Sequence, residues 1–542
     1  MMKRIFSPSK LLILLILTLG SNVFGQDQPE TFKNPILTGF HPDPSICRVG
    51  EDYYLVNSSF EWYPGLPVYH SRDLVNWELI GYGIHRPNQV PLPEGLPDSR
   101  GVYAPTIRYH EGLFYIINTC VKCEGNFYIT ATDPAGPWSE PVWLGTRGID
   151  PEIFWDDDGQ AYYVGHANIT GVNDWPDKNG AWMQKLDLVE GKVVGERKQL
   201  THGHAKNARW TEGPHIYKIN GKYMLLVAEG GTGFHHAITV HHSDSLWGPY
   251  IPDHSNPVLT HRHLGADYPV HSVGHGDLVQ LPSGEWWFVG LGKRKVDGST
   301  LLARETFLTP VKFEEREGYP TPVFNPGVGH LSVEQKRPDL LWTPFDSKEL
   351  KDDFDGKILD LKWNFLRSPM TTWHGLHKGQ LILNTRAEKI ENFENPSFIA
   401  QRIEDHNFKA ETQVSFSSKK SNESAGLVLY RNSQNHFQLV KKGDEVQLIK
   451  TIRGKQNVVK RQKVKSNKLV LGVESSGVKA VFSFKEEDGK RIEWDEELTL
   501  LSDEVAGGFN GPYIGMYTTS DGQKSKSKAY FDYFIYQGKD ND

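Results

Sequence analysis

Cysteine is scarce in this chain, with three residues in 542. Cys47 stands alone, and Cys120 and Cys123 form a CxxC. A zinc site needs partners at known spacing, and none accompanies the pair. In an exported protein these two thiols can bridge across a turn, so a structural or idle role is expected for all three. A cationic excess is also missing. Lys and Arg number 60 against 67 Asp and Glu, for a formal net charge of -7. No basic stripe stands out, which argues against a nucleic-acid partner. Beyond the first residues no apolar run approaches the ~20 residues of a membrane span, so none is expected.

The first residues themselves read as a secretory signal. Lys3, Arg4 and Lys10 form a positive start, Leu11 to Leu19 an apolar stretch, and Val23-Phe24-Gly25 a cleavage site before Gln26. No Cys lies near the cut, so a lipid anchor is not suggested. The expectation is an exported protein, periplasmic or secreted, with residues 1–25 removed.

What the chain has in plenty is aromatic residues, 12% of the total with 15 Trp and 22 Tyr. They suit half-buried strands and offer flat faces to sugars. They recur in a pattern. Short openings precede apolar strands at His41-Pro42-Asp43-Pro44-Ser45-Ile46, Gly148-Ile149-Asp150-Pro151-Glu152-Ile153, Trp210-Thr211-Glu212-Gly213-Pro214 and Gly274-His275-Gly276-Asp277-Leu278. Ala104-Pro105-Thr106-Ile107 has the same shape without the acid. Measured from Asp43, Ala104, Asp150, Glu212 and His275, the spacings are 61, 46, 62 and 63 residues. Each opening leads to a tight turn and an aromatic strand, such as Asp158-Gly159-Gln160-Ala161-Tyr162-Tyr163 or Asn220-Gly221-Lys222-Tyr223-Met224-Leu225. Trp77, Trp138 and Trp247 follow a third recurring element and are expected in the core.

Five such units predict a five-bladed β-propeller over 26–335. The pattern ends near Phe324, and a polar stretch through Pro338 and Pro344 reads as a linker. From about residue 345 to 542 the texture is that of an antiparallel β-sandwich, with no second cluster of acids in comparable context. The fold class is therefore all-β in two domains.

The first strand of each blade lines the central channel, so the openings converge. A lone Asp or Glu is ordinarily a solvated charge. Here three of five axial positions are acidic and a fourth is His275, where a purely structural channel prefers small or apolar residues. Glycoside hydrolysis needs two carboxyl groups with opposite jobs, one protonated and one ionised. A third acid raises its neighbour's pKa and can keep Glu212 protonated. The same three acids also suit a calcium site, the competing structural reading. His275 reads as a metal ligand, a substrate donor or a satisfied core residue. Arg304, in Ala303-Arg304-Glu305-Thr306, reads as a partner of an acid, a donor to sugar hydroxyls or a surface residue.

At these residues the chain resembles family-43 glycoside hydrolases of the β-xylosidase and α-L-arabinofuranosidase type. The matching motifs include Asn34-Pro35-Ile36 with Asp43-Pro44-Ser45-Ile46, Ser59-Phe60-Glu61-Trp62-Tyr63-Pro64-Gly65, Ile149-Asp150-Pro151, Thr211-Glu212-Gly213-Pro214-His215 and Gly274-His275-Gly276. Asp352-Asp353-Phe354 and Gly507-Gly508-Phe509-Asn510-Gly511 resemble the family's concanavalin-like sandwich and a loop that reaches over the pocket. The resemblance implies an inverting mechanism with Asp43 as base, Glu212 as acid and Asp150 as the modulator of pKa, the working carboxyls roughly 6.5–9.5 Å apart. It implies that Arg304 faces substrate and that no cofactor is required, with a calcium beside His275 as in several members. Trp62 and Phe234 are candidate sugar platforms, and Phe509 a candidate pocket wall. A capped pocket favours release of one terminal arabinofuranose or xylose from hemicellulose oligosaccharides. An open-groove endo-arabinanase and a non-catalytic carbohydrate-binding propeller are the alternatives.

Overall fold

The computed structural model describes residues 28–346, 350–418, 420–487 and 489–539. The expected signal segment, 1–25, lies outside them. Among the described residues helix is confined to three short turns, at Arg262–Leu264, Leu498–Leu501 and Asp503–Ala506.

The first half is a five-bladed propeller. Its blades are one sheet of five strands and four sheets of four. Their axial strands are Ser45–Val49, Thr106–His110, Ile149–Trp155, Glu212–Ile219 and Val270–Gln280. Each pairs antiparallel with the aromatic strand that follows it, for example Ile46 with Leu55 and Ile216 with Leu225. The expected five units are thus the five blades. Among the described residues no blade is shared between the two ends of the propeller. The ring is closed instead by Asn34, whose side chain donates to Leu308 O and accepts from Leu308 N, both at 2.9 Å.

The stretch read as a linker is fastened down. Strand Glu334–Lys336 pairs with Thr31–Lys33. Arg337 donates to Pro29 O at 2.6 Å, and Thr343 N donates to Asp73 at 2.8 Å. Composition signalled a break in the repeat but not these backbone contacts. Trp138 is buried, while Trp77 and Trp247 pack half-buried against blade cores. Cys120 and Cys123 are joined in a disulfide within a hairpin, and Cys47 is a buried free thiol.

The second half is a sandwich of two large antiparallel sheets. Strands such as Phe408–Ser415 alternate buried and half-buried residues strictly, as a sheet with one inward face requires. One edge strand of the sandwich comes from the propeller. Trp62–Tyr63 pairs with Asn364–Leu366, placing Trp62 opposite Leu366. Phe40, Phe60, Trp62 and Ala303 of the propeller share one buried cluster with Leu366, Phe398, Tyr430, Tyr513 and Tyr517 of the sandwich. The two domains therefore have a common core, which fixes the sandwich over one end of the channel.

Candidate active site

Three of the blades carry an irregularity at the same point. Register shifts fall between Ile149 and Glu152, between Glu212 and His215, and on both sides of Gly274. Each opens the ladder beside a site residue. The backbone there is in the left-handed region, with φ of 50° at Asp150, 56° at Gly213 and 37° at His275. Asp43, just before its strand, has φ 53°. Bulges re-aim side chains, and non-glycine residues held this way cost about 1–3 kcal/mol each. Gly213 is needed at its position for a second reason. A Cβ there would lie 2.9 Å from Cε1 of His275.

These devices turn Asp43, Asp150 and Glu212 toward one another. Asp43 is 5% exposed and fully engaged. Its Oδ1 accepts from Arg304 Nη1 at 2.5 Å, and its Oδ2 from Ser58 Oγ at 2.5 Å. Burial alone would raise its pKa. Arg304, with smaller contributions from His275 and the Ser58 hydroxyl, outweighs burial and holds the carboxyl below its usual range. Asp150 accepts from Gly213 N at 3.2 Å. Burial, and then the Asp43 charge, push Asp150 up to about 7. Glu212 is the least enclosed of the three by surface exposure. It nevertheless lies deep in the channel, and burial together with the Asp150 and Asp43 charges drives it well above the carboxylate range. One acid is thus held ionised and one held protonated, within reach of each other's field.

His275 is buried, and burial holds it at about 4, so it is neutral near pH 7. Calcium takes six to eight oxygen ligands. Near His275 lie the His215 and His236 imidazoles and the Asp43 and Asp277 carboxylates, and the carboxylates are committed, Asp43 to Arg304 and Asp277 to Arg108. Among the described residues no group of three or more His, Cys, Asp or Glu is arranged to hold a metal. An ion beside His275 would therefore take its oxygens mainly from water, and no step of the chemistry is routed through one.

Arg304 is not a surface residue. It is 4% exposed, and its guanidinium lies 5.3 Å from the Phe60 ring and 5.5 Å from the Phe509 ring. Its Nη2 donates to Phe509 O at 3.0 Å. Phe509 does not fill the sandwich core. It is 36% exposed, stacks on Phe60 with centroids 5.9 Å apart, and meets Tyr103 edge-on at 6.0 Å. The sandwich loop therefore forms part of the channel mouth.

Trp62 corrects an expectation. It is 1% exposed and stacks on Tyr513 at 3.6 Å, so neither face is open to a sugar. Its edge strand places it in the shared core. Phe234 is 42% exposed in the loop after Lys222–Glu229, at the end of the blade where Glu212 pairs with Ala228. Sequence reasoning passed over Ser58 and Tyr103, and gave Phe60 and Glu61 no role beyond their place in a matching motif. Tyr103 stands immediately before Ala104, the acid-free opening, and that position in the repeat was the available signal. A concavity of about 1170 Å³ on the sandwich, lined by Lys450, Glu474, Asp495 and Glu496, lies away from the acids and has no aromatic wall.

Comparison with known proteins agrees with this fold. Residues 32–319 match the model of glycosyl hydrolases family 43, and 351–537 match a β-xylosidase C-terminal concanavalin A-like domain. The chain is 42% identical over 518 residues to a xylosidase/arabinosidase of Butyrivibrio fibrisolvens, covering 93% of this chain and 98% of that protein. It is 38% identical over 539 residues to a non-reducing end α-L-arabinofuranosidase of Bacteroides ovatus, covering 97% and 98%. A solved Bacteroides ovatus structure from a xyloglucan utilisation locus superposes with a TM-score of 0.87 at 38% identity, over 94% of this chain and 100% of that one. A xylan β-1,4-xylosidase structure from Bacillus halodurans gives 0.87 at 34%, over 93% and 100%. The chain belongs to glycosyl hydrolase family 43.

Proposed function

We propose that the protein is an exo-acting, inverting glycosidase that releases a terminal pentose, α-L-arabinofuranose or β-D-xylose, from hemicellulose oligosaccharides. The observation that carries the mechanism is the opposite electrostatic poise of Asp43 and Glu212. Asp43, ionised against Arg304, takes a proton from water as the water oxygen attacks the anomeric carbon. The bond from that carbon to the leaving oxygen breaks, and Glu212 supplies the proton the leaving oxygen needs. Burial keeps Glu212 protonated, and the Asp150 charge adds to it once that group ionises. His275, neutral, can donate to or accept from a sugar hydroxyl. Phe509, Tyr103 and Phe234 offer the aromatic surface at the mouth. The sandwich loop across that mouth favours a pocket over the open groove that an endo-arabinanase needs. A binding propeller has no use for an acid held protonated beside one held ionised. No cofactor enters the scheme. The N-terminal pattern supports export, to the periplasm or beyond.

The test is turnover of Asp43→Ala and Glu212→Ala on xylo- and arabino-oligosaccharides and on nitrophenyl pentosides. Each substitution is expected to cost about 10²–10⁴-fold on oligosaccharides. Glu212→Ala should recover most of its rate on nitrophenyl substrates, which leave without protonation, and Asp43→Ala should not. Equal losses for both variants on both substrates would contradict the roles.

A further inference from the structure

Glu61 is a fully buried propeller residue between strands Asp52–Val56 and Trp62–Tyr63, and the scheme above does not use it. Its Oε1 accepts from the Asn510 side-chain amide at 2.5 Å, and its Oε2 from Ser99 N at 3.0 Å. Ser99 Oγ accepts from Phe509 N at 2.8 Å. Phe509 O accepts from Arg304, and Arg304 holds Asp43. An unbroken line of hydrogen bonds thus runs from Glu61 through the sandwich loop to the axial carboxylate. The loop is seated closely along this line. A Cβ on Gly508 would lie 2.7 Å from Ser99 Oγ, and one on Gly511 would lie 2.4 Å from Phe40.

We propose that Glu61 and Asn510 form a clasp between the domains whose task is positioning: it holds the Phe509 carbonyl on Arg304, and so sets the orientation and the proton affinity of Asp43. The proposal rests on the assignment of Asp43 as the base. Adhesion alone does not explain the clasp, because apolar side chains hold two domains together at least as well as a buried carboxylate does. The neighbourhood of Glu61 makes it a costly choice. Burial and the nearby Asp98 push its carboxyl up to about 8, against the opposing pull of Arg367 and Asn510. What a carboxylate provides is direction, because it fixes two N–H groups at once, one on each side of the mouth. Asn510 suits both charge states of such a partner. Its Oδ1 is buried with no partner, so a half-turn of the amide would present an acceptor to a protonated Glu61.

That chemistry supplies the test. In Asn510→Leu, close in volume but without the amide, Glu61 loses its partner in either charge state and the clasp should open. In Glu61→Gln the new amide can donate to Asn510 Oδ1 and accept from Ser99 N, so the clasp should stay closed. The double variant Glu61→Gln/Asn510→Asp should also keep it closed, with Gln donating to Asp. The readout is kcat/KM on a nitrophenyl pentoside across pH. With Arg304 released, Asp43 loses the charge that lowers its pKa. The acid limb in Asn510→Leu should therefore move up by about half a unit to one unit, with kcat/KM down about 10–100-fold. Glu61→Gln should retain most of the rate, and the double variant should keep both quantities near the parent's. An unmoved acid limb in Asn510→Leu, or a double variant no better than that single one, overturns the proposal. Asp43→Asn serves as the control. If it kept its turnover, the assignment of the base would fall and the proposal with it. If it is inactive, an unmoved limb counts against the clasp alone.

Discussion

Asp43, Asp150 and Glu212 have similar chemistry, and their surroundings give them different protonation states. Arg304 and Ser58 bind both oxygens of Asp43, whereas Glu212 has neighbouring negative charge that outweighs the pull of Arg304. In the proposed roles, activity needs Asp43 ionised and Glu212 protonated, giving a bell-shaped kcat/KM profile that falls at low pH through Asp43 and at high pH through the Asp150–Glu212 pair. Asp150→Asn removes a charge that raises Glu212. Its alkaline limb should move to lower pH while its acid limb moves little, and a rise in the alkaline limb would contradict the modulator role. The three acids were legible because they recur at one phase of a 60-residue repeat. Trp62 was not, because an aromatic residue in a sheet reads the same whether it faces a sugar or another domain. Only its pairing opposite Leu366, over 300 positions away in sequence, distinguishes the two. Glu61 was illegible for the same reason, since both of its hydrogen-bond partners come from distant loops.

The axial strands carry a second layer beneath the acids, to which every blade contributes. Arg108 donates to Asp277 at 2.7 Å and pairs with Glu152. Ser45 donates to Asp277 at 2.7 Å, Tyr217 donates to it at 2.6 Å, and His215 lies 3.0 Å from Arg108. Asp277 is fully buried. Burial opposes its charge, but Arg108, His215 and Tyr217 prevail and hold it below the usual carboxylate range. Ser45, Glu152 and Asp277 each follow a site residue by two positions, the period of one strand face. The sequence thus displayed this layer, but the repeat alone did not say that a single Arg ties it together. Breaking a buried pair costs about 3–5 kcal/mol, so Asp277→Asn should lower unfolding stability by that order in urea at pH 7. A carboxyl whose folded pKa is depressed stabilises the fold above its unfolded pKa and loses that contribution as pH falls through the folded value. The gap between wild type and Asp277→Asn should accordingly narrow in strong acid. A constant gap across pH would mean that the variant acts through packing and not through the charge.

At the scale of the whole molecule, propeller and sandwich form one body. Beyond the shared core, Lys293 of the propeller donates to Asp503 at 2.7 Å, and Arg431 meets the same carboxylate from within the sandwich. Glu504 accepts from Thr300 N at 3.0 Å, and Arg367 pairs with Asp98 at 3.1 Å. Removing residues from 345 onward would strip Trp62–Tyr63 of its strand partner and expose Phe40, Phe60 and Trp62 together. The truncated propeller should aggregate or lose activity, whereas a soluble and fully active one would show that the sandwich is dispensable. Two domains were legible from the change in texture near residue 345. Their fusion was not, because a two-residue edge strand leaves no periodic trace. Their joint product is a capped channel, and the inverting scheme proposed for it needs water and the leaving oxygen on opposite sides of the sugar. The most direct test is proton NMR of the intact enzyme's first-formed pentose, recorded before mutarotation. The account predicts the anomer opposite to that of the substrate. A retained anomer would contradict it, because it would require one of these carboxylates to bond to the sugar instead of activating water.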